Sequence, residues 1–145
     1  MIESAWRRHG PRRYDAEMNH SSRGLRVLVA DDDPLNLRMT ARLLRDLGHG
    51  GAMVTDGAKA LKALEQQTFD LVLMDVQMPE LDGYATLRAI RARDLPGRKL
   101  PVLMVSGESC DEIQQRFFAA GANGFLVKPL SVHTLAEALS RAVPR

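Results

Sequence analysis

The chain has no means of forming an internal disulfide, because Cys110 is its sole cysteine; that usage suits a reducing compartment. No apolar run approaches the ~20 residues that a bilayer span requires. Arg7, Arg8, Arg12 and Arg13 have no hydrophobic stretch behind them, which argues against a secretory signal. Aromatic residues make up only 5% of the chain and do not interleave with a basic stripe, so a nucleic-acid partner is not expected. A glycine-rich phosphate loop is also missing, which argues against a nucleotide binder. The cytoplasm is therefore the expected location, and neither a membrane nor a nucleic acid is expected as partner.

What remains is a length of 145 residues, 45% hydrophobic and 26% charged, which fits one soluble domain. The net charge of +2 lies within residues 1–23, where Arg7, Arg8, Arg12, Arg13 and Arg23 oppose Glu3, Asp15 and Glu17. Residues 24–145 are balanced. Residues 1–23 show no periodicity and are expected to form a flexible basic N-terminal extension. A solvated tail is favoured there over a docking peptide carried by Trp6 and Tyr14, and Met18 is an alternative start.

From Leu25 onward, short apolar runs alternate with helical patterns. Val27–Ala30, Leu71–Met74, Val102–Val105 and Phe125–Val127 are continuous and β-rich, as strands covered on both faces should be. Ala52–Val54 is a weaker strand, expected near an edge. Helices are expected between them. The first has Asp33 as N-cap, Pro34 in the first turn, Leu37, Ala41, Leu43, Leu44 and Leu47 inside and Gly48 as its stop. The second follows Asp56, and the third spans about Tyr84 to Ala92 with Leu87 and Ile90 inward. The fourth opens on Ser109-Cys110-Asp111-Glu112, the spacing of a capping box, and continues through Ile113 and Phe117. The fifth starts near Ser131. Five βα repeats predict a doubly wound α/β sandwich whose strand ends share one rim.

The chemistry lies in what each strand runs into: Asp31-Asp32-Asp33 after the first, Asp75 after the third, Ser106 after the fourth and Lys128-Pro129 after the fifth. Three carboxylates within ~4–6 Å repel by several kcal/mol at an effective dielectric near ~20. Lys128 offsets one charge and a divalent cation the rest. An all-oxygen donor set favours Mg²⁺ or Mn²⁺ over zinc, and such a site suits phosphoryl transfer.

Residues 25–142 resemble the receiver domain of two-component response regulators. The resemblance rests on Val27–Pro34, on Asp70–Gly83 with its Asp-x-x-Met-Pro-x-x-Asp-Gly loop, on Pro101–Gly107 and on Gly121–Pro129. It implies a flavodoxin-like (βα)5 sandwich with parallel sheet order 2-1-3-4-5, as residues 24–145. It implies that Asp75 accepts a phosphoryl group from a phosphohistidine, giving an acyl phosphate. Asp31, Asp32, Asp75 and the backbone carbonyl of Gln77 would hold Mg²⁺, with Asp32 direct and Asp31 through water. Lys128 and Ser106 would bind the phosphoryl oxygens, across a cis Lys128–Pro129 peptide on the lysine side. Phe125 would be the switch aromatic that follows Ser106. Gln77 and Glu108 would tune the lifetime of the phosphate, and Gly107 would leave room for an attacking water. The implied partners are a sensor or hybrid histidine kinase, a histidine phosphotransfer protein and a downstream protein target.

Plainer readings hold elsewhere. Asp33 is better explained as a helix cap than as a metal ligand, and His133 as an exposed helix residue. His49 has no ligand spacing. Leu37, one turn into the first helix, is open to two readings: docking of a helical phosphodonor, or packing. The rival function is a haloacid-dehalogenase-like Mg²⁺-dependent phosphatase, which Asp31-Asp32-Asp33, Ser106 and Lys128 superficially fit. It requires a further metal acid after the lysine, where only Glu137 stands, and leaves Asp75 unexplained. The expectation is therefore a stand-alone receiver, a signalling module with no enzymatic substrate beyond its own Asp75.

Overall fold

The computed structural model describes residues 4–7, 24–78, 82–94 and 98–143. The elements run β1 Ser4–Trp6, β2 Arg26–Ala30, α1 Pro34–Asp46, β3 Gly50–Val54, α2 Gly57–Gln66, β4 Leu71–Asp75, α3 Gly83–Arg93, β5 Val102–Ser106, α4 Asp111–Ala119, β6 Gly124–Val127 and α5 Val132–Ala142. The sheet order is β1-β3-β2-β4-β5-β6. β2 to β6 are parallel, and β1 joins the edge antiparallel to β3. The five parallel strands have the expected 2-1-3-4-5 order, extended by one strand.

Two cores follow from the period-2 alternation of side chains along each strand. Leu28, Ala30, Val72, Met74, Val102 and Met104 point to one face, where Ala60, Ala63, Leu87, Ile90 and Phe117 from α2, α3 and α4 cover them. Val27, Val29, Leu71, Leu73, Leu103 and Val105 point to the other, beneath Leu37 and Leu44 of α1 and Leu135 and Leu139 of α5. A strand buried on both faces has no polar side to alternate with, which is why these runs read as continuous.

The helices begin where local chemistry stops an extended chain. Asp33 Oδ1 accepts from Leu35 N at 3.0 Å, Asp56 Oδ1 from Lys59 N at 2.8 Å and Asp82 Oδ1 from Ala85 N at 2.8 Å. Each satisfies an otherwise unpaired N–H of a first turn. The capping box expected at Ser109–Glu112 is not formed: Cys110 is the N-cap and makes no side-chain cap bond. The box occurs instead on α5, between Ser131 and Thr134. A thiol is a weak acceptor, so Asp111 and Glu112 support α4 through the helix dipole alone.

Two further expectations change. Part of the proposed N-terminal extension is strand: Ser4, Ala5 and Trp6 pair with Met53, Ala52 and Gly51. Residues 8–23, including Tyr14 and Met18, lie outside the described residues. β3 is accordingly longer than the Ala52–Val54 run, and it is flanked on both sides instead of forming the edge.

Gly51 shows why β3 is glycine-rich. Its φ is +153°, and a Cβ there would lie 1.8 Å from the Val27 carbonyl oxygen. By contrast, a Cβ on Gly107 meets nothing within 4 Å. Gly51→Ala is expected to cost ~3 kcal/mol or more, and Gly107→Ala less than ~0.5 kcal/mol. Urea denaturation of the two variants checks this contrast.

Candidate functional site

The register of the sheet assembles the site. Ala30 pairs with Met74, so Asp31 and Asp75 emerge side by side from β2 and β4. Asp75 pairs with Val105 and Ser106 with Val127, which brings Ser106 and Lys128 to the same rim. Lys128 N also donates to Ser106 O at 2.8 Å, tying the β6 end to β5. The Lys128–Pro129 peptide is cis, as the resemblance implied.

At the rim, Lys128 Nζ lies 3.2 Å from Asp31 Oδ2 and 3.5 Å from Asp75 Oδ2. Asp31, Asp32 and Asp75 each offer a carboxylate oxygen, and these oxygens all lie within 4.8 Å of one another. Asp31 and Asp75 are buried, while Asp32 faces solvent. Asp31 Oδ1 also accepts from Asp33 N at 3.0 Å, and Asp31 N donates to Val54 O at 3.1 Å. Gln77 N donates to Asp75 Oδ1 at 3.4 Å from an exposed position. The buried Ser106 hydroxyl oxygen accepts from Glu108 N at 3.0 Å, which folds the β5–α4 loop back on its strand.

The charges do not balance. Burial, with the Asp31 charge beside it, pushes the Asp75 carboxyl up to about 6, against the opposing pull of Lys128 and the Gln77 N–H. Burial also disfavours the charged form of Lys128, but Asp75 and Asp31 more than offset it and hold the ammonium above its usual range. Three carboxylates and one ammonium leave an excess negative charge in an oxygen-only donor set. That is the chemistry of a magnesium site and not of a zinc site.

Other residues sort by contact. Asp33 is the cap of α1, not part of the cluster. His133 is exposed and lies 4.0 Å from Glu137. Leu37 is 4% exposed and belongs to the core, so packing is its role; the exposed apolar residues of α1 are Leu35 and Met39. Asn36, Met39, Thr40 and Leu43 line a cleft of about 310 Å³ with Asp31, Lys128 and Leu130. Phe125 is half-buried, its ring 6.1 Å from that of Phe117, which lies 5.5 Å edge-on from Tyr84. The Arg116 guanidinium stacks 4.0 Å over Tyr84.

Gly83 belongs to the site although nothing in its own chemistry announces it. It packs so closely that a Cβ would lie 2.3 Å from the Asp75 carbonyl oxygen, and its N–H donates to Val76 O at 3.1 Å. The Asp82-Gly83 pair therefore caps α3 and lets that helix press against the Asp75 loop. The dipeptide is a turn signal by itself, but only the contact with Asp75 makes it part of the site. Pro79, Glu80 and Leu81 of the same loop lie outside the described residues.

Comparison with known proteins agrees with this geometry. The family model of the response regulator receiver domain matches residues 27–140. Sensor protein GacS of Pseudomonas syringae pv. syringae is 39% identical over 119 residues, which is 81% of this chain and 13% of GacS. The chain thus spans a small part of that relative's length. The receiver domain of sensor histidine kinase PA1611 from Pseudomonas aeruginosa PAO1 superposes with a TM-score of 0.74 at 33% identity, covering 83% of this chain and 98% of that one. That structure is described with a magnesium ion coordinated in its active-site cleft. The chemotaxis response regulator CheY4 of Vibrio cholerae gives a TM-score of 0.77 at 32% identity, with 83% and 100% covered. The chain belongs to the response regulator receiver domains, the signalling domains of two-component phosphorelay systems.

Proposed function

We propose that this chain is a phosphorylation-dependent switch in which Asp75 takes a phosphoryl group from a phosphohistidine donor. The observation that carries the reading is the convergence of Asp31, Asp32 and Asp75 with the Lys128 ammonium at one strand-end rim. A carboxylate oxygen of Asp75 attacks phosphorus, the P–N bond to the donor imidazole breaks, and the leaving nitrogen takes up a proton. Asp31, Asp32, Asp75 and the Gln77 carbonyl would hold Mg²⁺, which when bound neutralises the cluster and the incoming phosphoryl oxygens. Lys128 leaves its carboxylate partners to pair with a phosphoryl oxygen. The Ser106 hydroxyl turns from the Glu108 N–H to donate to another, and its loop moves with it. Phe125, whose ring lies tilted 6.1 Å from that of Phe117, would follow that movement into the α3–α4 surface.

The donor is a sensor or hybrid histidine kinase or a histidine phosphotransfer protein. The cleft between α1 and the Lys128–Leu130 turn, with Leu35 and Met39 exposed beside it, suits a helical donor with an apolar face. Output passes to a downstream protein target by contact. The reading is of a cytoplasmic domain, and none of the described helices is long and apolar enough to cross a membrane. A haloacid-dehalogenase-like phosphatase finds no support: Asp33 caps α1, and Glu137 on α5 is paired with Arg141.

Incubation with acetyl phosphate and Mg²⁺ is expected to add about 80 Da to the protein, on Asp75. Asp75→Asn abolishes the adduct while the metal-free variant gains on the order of 1 kcal/mol at pH 7.5, because one of the crowded charges is gone. Intact-mass spectrometry and thermal melts read the two effects; an adduct that persists in the variant overturns the assignment of Asp75.

The raised Asp75 carboxyl also fixes a pH dependence. The folded state holds this proton up to about pH 6, against 3.8 for an ordinary aspartate, so it binds the proton more tightly than the unfolded chain does. This group's contribution to metal-free stability is therefore fully present below about pH 4 and falls as pH rises through about 4–6. Mg²⁺ must displace the same proton, so its affinity is expected to be level above about pH 7 and to weaken up to tenfold per unit below about pH 6. Calorimetric titration with MgCl₂ at pH 5, 6 and 7.5 checks it.

A further inference from the structure

β3 has the composition of a strand that requires cover. Gly-Gly-Ala-Met-Val carries neither charge nor proline, the usual protections of an exposed edge, and Gly51, Ala52 and Val54 are buried. The cover comes from the chain's own Ser4-Ala5-Trp6, paired antiparallel in the register Ser4 to Met53, Ala5 to Ala52 and Trp6 to Gly51.

The last pair sets an aromatic residue against a glycine. Trp6 stands opposite Gly51, which has no side chain and cannot carry one, since a Cβ would collide with the Val27 carbonyl. An aromatic ring across from an edge glycine fills the gap that the glycine leaves in the sheet surface. The indole packs against the core cluster that contains Leu25 and Leu44, and its Nε1–H donates to the His49 carbonyl at 3.1 Å. His49 in turn accepts from Leu25 N through Nδ1 at 2.9 Å, so the recess is built by the α1–β3 turn and the start of β2. His49, which has no ligand spacing in the sequence, forms one wall of this recess.

We propose that the outer edge of β3 is a strand-binding site that selects tryptophan opposite Gly51, and that the chain's own Ser4–Trp6 segment is its resident ligand. The site is separate from the phosphoryl chemistry. Gly51 lies near the start of β3, whereas the carboxylates stand at the opposite ends of the parallel strands. Ligand and site belong to one chain, so their encounter is intramolecular, with an effective concentration on the order of mM. A three-residue strand with one aromatic anchor is thus kept in place although its affinity as a free peptide is modest. A foreign extended segment with the same small–small–Trp pattern would compete for the edge.

Trp6 is the only tryptophan, which makes the test direct. In the full chain its emission is expected to be blue-shifted relative to a free indole. Trp6→Ala should speed amide exchange in Gly50–Val54 by tenfold or more while leaving acetyl phosphate labelling of Asp75 unchanged. The full-length Trp6→Ala protein contains no tryptophan, so it is titrated into a synthetic peptide of residues 1–10. The peptide emission should shift blue and saturate with a Kd on the order of 0.1–1 mM, and an Ala5→Pro version of the peptide should not respond. Solvent-like emission from the full chain, or no peptide shift at several mM, overturns the site. A Trp6-dependent dimer in gel filtration makes a second copy the occupant and overturns the intramolecular assignment.

Discussion

Crowding three carboxylates around a single ammonium costs folding free energy, and every other part of this domain is arranged so that the cost can be carried. At an effective dielectric of about 20, each like-charge contact at ~4–5 Å opposes folding by a few kcal/mol. Lys128 relieves part of that by sitting within 3.5 Å of two of the acids. Burial of the Asp75 side chain, with the Asp31 charge beside it, shows as the upward displacement of its carboxyl, which holds a proton more tightly than an ordinary aspartate does. Residual repulsion in the free protein becomes binding free energy once positive charge arrives.

Such an arrangement holds only if the acids cannot move apart. β4 and β5 are buried along their whole length, and the two cores clamp them from both faces. Asp31 is fixed by its own backbone bond to Val54, and Asp75 by the register with Val105 and by Gly83 against its carbonyl. Away from the clamped strands, contacts at the rim link several elements. The Ser106 hydroxyl oxygen accepts from Glu108 N, and the Phe125–Phe117–Tyr84 ring series runs from β6 through α4 to α3, the helix that presses on the Asp75 loop.

Much of this was legible in the residue order. Continuous apolar runs marked the buried parallel strands because such strands have no solvent side, and Asp33, Asp56 and Ser131 marked helix starts because a short polar side chain satisfies a free N–H. Asp31, Asp32, Asp75, Ser106 and Lys128 could be named because each follows such a run. What misled was chemistry that depends on geometry: Ser109 has the spacing of a capping box, yet the chain enters α4 one residue later, at Cys110. For Leu37 the residue order leaves docking and packing both open, and helix rotation decides for packing by turning it inward and leaving Leu35 and Met39 outside.

The N-terminal strand marks the boundary between the two kinds of information most sharply. Ser4-Ala5-Trp6 has no local preference strong enough to announce a strand, because three residues are stabilised by their partner and not by themselves. The order of residues determined which segments would be buried and which side chains would end each strand. Only the folded chain decided that Trp6 lies across from Gly51 and that three acids from two separate strands meet one lysine from a third. Contacts between residues so far apart in sequence have their energy set by register and close approach, and no local pattern encodes either.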